Sequence, residues 1–387
     1  MQELTKGTVI AWFCISFVVL MRPFGACGAE DGHRARIGPE PSEVISIDDT
    51  SQLFIDDYLV DLDRTAGLTR VLNSVTKVAA NPLVWSENDW EHKLTTVCAV
   101  LKEGDLFRMW YFTQAIHESR LAKNPTVATE DNTFICYAES KDGLHWTKPR
   151  LGIHQYDGSK QNNICLRHLP GMSHMGHINL LVAPWQSDPA RKYQGICYHG
   201  TWPYRPGYKE LGFPRPPGHY LFDSSDGIHW TLAQEDPVVY LAKNDRKTDR
   251  QIAGQDTTSF AVDTRREKYL CFLKTPHKKK RARHFSESDD LVHWTPDHLC
   301  LYADQDDPAG TEIYHNTAFN YASMWLGFAR LFYKGTSDGT DIQIVFSRDG
   351  RQWFRSPVRE PVIPMGKSGQ WDSTQIMAVS YTHLRAH

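Results

Sequence analysis

The chain has 387 residues and 41% hydrophobic content, enough for one large domain with a sizeable core. Its formal charge of −3 excludes the concentrated basic surface that nucleic-acid binding requires. Twelve Trp and sixteen Tyr form a rich aromatic supply, which points to sheet packing, with a few rings left to stack on the apolar faces of sugars.

Residues 1–29 read as an export signal. Lys6 supplies the positive end, and residues 9–21 (VIAWFCISFVVLM) form an apolar run shorter than the ~20 residues of a comfortable membrane span. Cleavage is expected after Ala29, with acylation at Cys27 or a retained anchor as the alternatives. No later stretch is apolar enough to span a bilayer, so a secreted or periplasmic protein is expected, with no membrane contact beyond the signal. Residues 30–47 read as a flexible linker. Cys98, Cys136, Cys165, Cys197, Cys271 and Cys300 show no CxxC pair and no metal-like spacing. Contexts such as Val97-Cys98-Ala99 make buried thiols the expectation. No cofactor or metal is expected, and an axial Ca²⁺ would leave no signature in the sequence.

Residues 52–60 (QLFIDDYLV) and 68–72 read as early strands that pair with the last sheet and close a ring. Strand pairs follow at 95–101 and 106–112, with Glu103-Gly104-Asp105 as the turn. They recur at 178–183 and 193–198, at 259–262 and 268–273, and at 317–320 and 326–333. Each pair precedes one copy of a hairpin motif. The copies are Ser140-Lys141-Asp142-Gly143-Leu144-His145-Trp146, Ser224-Ser225-Asp226-Gly227-Ile228-His229-Trp230, the looser Ser288-Asp289-Asp290-Leu291-Val292-His293-Trp294, and Ser347-Arg348-Asp349-Gly350-Arg351-Gln352-Trp353. Their Trp residues stand roughly 60 to 85 residues apart, at or above the length of a four-stranded propeller blade with its loops. Gly tolerates positive φ and Asp can accept from nearby backbone N–H groups, so the motif is a hairpin between the outer strands of a blade. Its Trp can then pack between sheets. The hairpin histidines His145, His229 and His293 are architectural on this reading.

No long amphipathic helix interrupts the order. The expected fold is all-β, a five-bladed β-propeller over residues 48–379 whose last blade is incomplete, with residues 370–377 as the inner strand of the fifth. Residues 380–387 do not continue the pattern and read as a non-native tail, so a fragment is expected. The basic run His277-Lys278-Lys279-Lys280-Arg281 reads as a solvated loop.

The hairpins resemble those of the five-bladed propeller glycoside hydrolases of families 32 and 43. Phe107-Arg108-Met109-Trp110-Tyr111 and Asp188-Pro189-Ala190-Arg191-Lys192-Tyr193 are similar to phrases of the same families. Gln52-Leu53-Phe54-Ile55-Asp56-Asp57-Tyr58-Leu59 resembles the opening of exported family-32-like proteins of environmental bacteria. The resemblance implies an active site at one end of the central axis, where carboxylates serve as base or nucleophile and as general acid. The Asn-Asp-Pro-Asn-Gly and Arg-Asp-Pro motifs of those families are absent, and Glu312-Ile313 stands where Glu-Cys is usual.

Polar residues collect at the starts of the inner strands, where a propeller converges them on its axis. Asp256, Glu312 and Glu91 are the catalytic candidates, and Asp256 directly precedes a strand. His177, Tyr314, His315, Trp90, Trp371 and Asp372 are the substrate-binding candidates, the rings as stacking faces and the polar groups as partners of sugar hydroxyls. Asp188 reads as a turn residue. The expected partner is an oligo- or polysaccharide and the expected activity is glycoside hydrolysis. A non-catalytic sugar-binding propeller is the alternative. A sialidase-like enzyme is a third reading, against which stand the altered turn of the hairpin and the lack of arginines at the strand starts.

Overall fold

The hairpin repeat becomes a repeat of sheets. A computed structural model of the chain describes residues 37–41, 44–47, 49–67, 69–73, 75–91, 93–115, 133–169, 174–200, 216–241, 252–378 and 380–381. The expected signal segment lies outside them, and none of their helices is long and apolar enough to cross a membrane. Blade 1 contains β1 (Lys93–Glu103), β2 (Leu106–Gln114), β3 (Thr133–Ser140) and β4 (Ile164–Arg167). Blade 2 contains β5 (His174–Leu181), β6 (Tyr193–Gly200), β7 (Gly218–Ser224), β8 (Thr231–Leu232), β9 (Val239–Leu241) and β10 (Ala253–Gly254). Blade 3 contains β11 (Ser259–Asp263), β12 (Lys268–His277), β13 (Lys280–Ser288) and β14 (His298–Leu301). Blade 4 contains β15 (Thr311–Asn316), β16 (Phe319–Tyr321), β17 (Met324–Tyr333), β18 (Thr340–Ser347) and β19 (Phe354–Arg355).

The local physics of the hairpin is the same four times. The Ser hydroxyl accepts from the backbone N–H three residues on at 2.8–3.0 Å. One Asp oxygen accepts from the N–H groups two and three residues on, each at 2.8 Å. In three copies the second Asp oxygen holds the hairpin histidine ring at 2.6–2.7 Å. The turn residue is left-handed in every copy: Gly143, Gly227 and Gly350 at φ 74–75°, and Leu291 at φ 69°. Leucine in that conformation costs roughly 1–2 kcal/mol. The cost is offset by full burial of the Leu291 side chain against Leu181, Ile196 and Leu221 of blade 2, worth about 2 kcal/mol.

The core lies between blades. Trp230 packs against a cluster shared by blades 1 and 2, Trp294 against one shared by blades 2 and 3, and Trp353 against one shared by blades 3 and 4. The hairpins of blades 2, 3 and 4 therefore plug their Trp into the junction with the preceding blade, while Trp146 packs on blade 1 itself. All six described cysteines are buried free thiols.

Two expectations are corrected. The described residues form four blades, where five were expected. Residues 363–378 and β20 (Ser380–Tyr381) build no sheet of their own. Ile363 and Gln375 bridge to Ile342 and Thr340 of blade 4, the Thr340 hydroxyl exchanges hydrogen bonds with the Ile376 backbone at 2.9 and 3.0 Å, and β20 runs parallel to Ala99 and Val100 of β1. The segment satisfies its backbone on both neighbours and straps blade 4 to blade 1.

Residues 52–60 likewise form no strand. Leu53 and Ile55 do pack on Leu326, Ile344 and Phe346 of blade 4, as irregular chain. Adjacent side chains of a strand point to opposite faces, but Asp56 and Asp57 are both buried. Asp56 accepts two bonds from Arg348 at 2.7 and 2.9 Å. Asp57 accepts from Arg70 at 2.5 Å and from the Ile37 N–H at 2.8 Å. Arg348→Ala leaves Asp56 buried without its counter-ion and is expected to cost about 3–5 kcal/mol in urea unfolding. A loss below about 1 kcal/mol would mean that the pair is no more than a screened surface contact.

Candidate functional site

The inner strands β1, β5, β11 and β15 bring one stretch of each blade to the axis. Three of them carry an irregularity there. The pairing skips Cys98 in β1, the Gly176–His177 step in β5 and Tyr314 in β15. A β-bulge re-aims a side chain out of the regular alternation. His177, Tyr314 and His315 therefore sit inside strands that begin earlier than the sequence suggests, on locally distorted backbone. In blade 3 the corresponding position is the turn before β11, which carries Asp256 and Thr257.

These elements surround a small pocket that opens to solvent. Blade 1 contributes Val97 and Cys98, blade 2 His177, Ile178 and Asn179, and blade 3 Asp256, Thr257 and Thr258. His315 comes from blade 4 and Met377 and Ala378 from the strap. Polar contacts stitch the ring together around it. The Asn179 amide oxygen accepts from Phe260 N–H at 3.3 Å, and the Thr257 hydroxyl donates to the Tyr314 carbonyl at 3.1 Å.

Asp256 is the one pocket carboxylate among the described residues. It is exposed to the opening and ion-paired to the buried Lys274 behind it. Enclosure pushes its pKa up, but Lys274 outweighs that effect and leaves it below the ordinary carboxylate value. It is ionised at neutral pH. His177 and His315 are neutral there. Enclosure, with Arg330 adding to it, lowers His177 to about 4, and burial takes His315 well below its usual value.

Beside the pocket, the Tyr314 ring is ringed by cations. Lys274 Nζ lies 4.9 Å, Arg281 5.0 Å and Arg330 4.9 Å from its centroid. Glu312 is buried beneath and bound to Arg281. Arg283 is wholly buried and donates only to neutral oxygens: Asn316 Oδ1 at 2.9 Å, Thr257 O at 3.0 Å, Ser259 Oγ at 3.1 Å, Phe272 O at 2.5 Å and Tyr314 O at 3.3 Å.

The remaining candidates stand away from the pocket. Glu91 is buried in blade 1, where it accepts from Tyr111 OH at 2.6 Å and from Glu87 N–H at 3.0 Å and pairs with Lys148 at 2.9 Å. Trp90 donates to Asn163 at 2.9 Å and meets Tyr156 edge-on. Asp372 is buried against Lys77, whose ammonium lies 5.9 Å from the Trp371 ring. Asp188 caps a short helical turn through Ala190 N–H at 2.9 Å, as a turn residue should.

Lys274, Arg283 and Arg330 carried no signal of their own in the sequence, and Arg281 read as part of a solvated loop. Three arginines do gather near the axis, contrary to the expectation drawn from the strand starts, because they come from β13 and β17. Two are already engaged, by Glu312 and by neutral acceptors, so they form no free triple clamp. The basic run is a tight β12–β13 hairpin with Lys278 and Lys279 at its exposed tip and Arg281 turned to Tyr314. Only the alternation Arg281-Ala282-Arg283 hinted that one of these charges points inward. Among the described residues no group of three His, Cys, Asp or Glu is placed to hold a metal ion.

No family model matches the sequence, and no curated protein matches it. Solved structures are similar in fold. An N-acetylgalactosamine deacetylase from F. plautii, in complex with blood group B trisaccharide, is 16% identical over 75% of this chain and 76% of that one, at a TM-score of 0.48. A thermostable family-43 glycoside hydrolase is 10% identical over 70% and 74%, at 0.45. The endo-arabinase from Bacteroides thetaiotaomicron VPI-5482 is 9% identical over 70% and 81%, at 0.43. At this level the likeness transfers no activity, ligand or residue to this chain.

The enclosed histidines predict a pH dependence. His177 and His219 are held at about 4 and His315 well below its usual value, against about 6.5 in an unfolded chain. Their contribution is complete above the unfolded value and is lost as pH falls from about 6.5 toward 4, because the unfolded chain then binds protons that the fold excludes. Each contributes a slope of up to about 1.4 kcal/mol per pH unit. Urea unfolding across that window should show the decline, and His219→Gln should make it shallower. A flat profile in both proteins would contradict the burial assigned to these rings.

Proposed function

We propose that the protein is carbohydrate-active and that its axial pocket binds an oligo- or polysaccharide and hydrolyses a glycosidic bond. The observation that carries this reading is the meeting of Asp256, His177 and His315, from three different blades, in one pocket. Asp256 is ionised and open to the mouth, the state required of a nucleophile or of a base that takes a proton from water. Neutral imidazoles at His177 and His315 can each donate to and accept from sugar hydroxyls. The Tyr314 ring offers a partly exposed face. In the reaction the anomeric C–O bond breaks, the water oxygen joins the anomeric carbon, and a proton goes to the leaving oxygen. Glu312 is the other carboxyl of the cluster. To supply that proton it must leave Arg281 and be protonated. Export of the protein rests on the apolar leader.

One observation favours a second reading, a non-catalytic sugar-binding propeller. The partner of Glu312 is a guanidinium, the opposite of the apolar wall or second carboxylate that prepares a general acid. Reducing-end release from a panel of polysaccharides separates the two. Hydrolysis is expected, and Asp256→Asn should lower it by about 10²-fold or more while leaving glycan affinity in place. Undiminished turnover in Asp256→Asn removes Asp256 from the chemistry. Binding without any turnover by the unaltered protein selects the second reading.

A further inference from the structure

The charges around the pocket do not balance. Among the described residues the cluster holds four cations, Lys274, Arg281, Arg283 and Arg330, against the carboxylates Asp256 and Glu312. The two histidines are neutral, and Tyr314 is a phenol whose pKa is raised by enclosure and then by Asp256. Lys274 and Arg281 have their counter-ions. Arg283 has five neutral acceptors, enough to use its donors within the fold.

Arg330 is different. Its side chain is 8% exposed, and it meets no carboxylate among the described residues. One amino group donates to Gln375 Oε1 at 2.9 Å and the other to the Met377 thioether at 3.4 Å, a weak acceptor, while its enclosed Nε has no partner among them. A guanidinium buried with so few acceptors carries a desolvation cost that, among the described residues, the Tyr314 ring and these two acceptors offset only in part. Burial lowers its pKa only to about 10, so it stays charged at neutral pH. Its two hydrogen bonds lie on the strap. Met377 lines the pocket, and Gln375 is exposed, placing a replaceable neutral oxygen where a ligand's charged oxygen would sit.

We propose that the axial pocket takes an anionic sugar, one bearing a carboxylate or a sulfate ester, whose oxyanion displaces Gln375 and docks on the planar fork of Arg330. The inference rests on the pocket being a sugar site and names the class of sugar. Arginine suits both oxyanions because two parallel N–H groups match two oxygens of either. Arg283, held by neutral acceptors alone, adds a positive field that draws such a ligand in and opposes a cationic one.

The test uses the full chain and paired polymers that differ only in charge: polygalacturonate with its carboxyl-reduced form, and a sulfated galactan with its desulfated form. Affinity electrophoresis and calorimetry are expected to favour the acidic member of one pair by about tenfold or more, with the preference shrinking as salt rises. The pair that responds identifies carboxylate or sulfate as the group. Two variants place the effect at Arg330. Arg330→Gln should abolish the preference and leave affinity for the neutral polymer. Gln375→Glu gives Arg330 a carboxylate of its own and should also abolish it while raising the melting temperature, so loss of folding in the first variant does not decide the question. Equal binding of acidic and neutral members, or a preference that survives Gln375→Glu, overturns the anionic-sugar assignment and leaves the sugar site standing. Binding to none of the four polymers overturns the assignment too, and turnover of some other neutral glycan would then still support the broader reading.

Discussion

One buried guanidinium fixes the geometry on which the axial pocket depends. Arg283 reaches from β13 to Thr257, Ser259 and Phe272 of its own blade and to Tyr314 and Asn316 of the next. The carbonyls of Thr257 and Tyr314 thus share one cation. Their neighbours Asp256 and His315 cannot move apart without breaking hydrogen bonds to a charged group, each worth about 1.5–3 kcal/mol. Burial lowers the Arg283 pKa to about 10, which still leaves it charged at neutral pH. Its field helps hold His315 neutral and crowds Lys274. The same residue therefore sets both the position and the sign of the site.

The junctions between blades obey a different rule. The three between consecutive blades must each satisfy a turn and fill a wedge, and each does so with the same Ser, Asp and Trp. That is why the propeller was legible in the sequence. A repeated physical demand produces a repeated pattern, and even Leu291, in place of glycine, keeps the geometry by burying its side chain. The count of blades was less legible. Residues 370–377 have the composition of an inner strand, but pairing partners decide whether a segment becomes a blade; here the partner lies on blade 4, and Ser380 and Tyr381 beyond pair with blade 1. The adjacent Asp56 and Asp57 broke the strand expected at 52–60 for a comparable reason: two buried ion pairs on consecutive residues do not fit an alternating chain.

The axis has no repeated demand, so its residues follow no motif. Cys98, His177 and Tyr314 occupy comparable irregular positions in three blades and share no chemistry. Asp256, His177 and His315 were recognisable because they are polar and precede or enter inner strands. The same local signal also picked out Glu91, whose carboxylate serves Tyr111, Lys148 and its own loop. An acid near a strand start looks alike in sequence whether it faces a pocket or holds a turn. The cations were hidden for the opposite reason. Lys274 and Arg330 interrupt otherwise apolar strands, and whether such a residue turns out to solvent or inward to the axis depends on the neighbouring blade.

A division of labour between the edge of the ring and its centre follows. The clusters between blades bury large aromatic side chains, each worth about 2 kcal/mol or more on leaving water. That reserve lies in the hairpins and the blade junctions. The centre can then hold groups that cost stability: a guanidinium short of acceptors, histidines kept neutral, and a carboxylate whose only described ion-pair partner is Lys274. A fold stabilised mainly at its axis would have to neutralise these groups internally. Because this one is stabilised between its blades, the axial charges can stay available to a ligand.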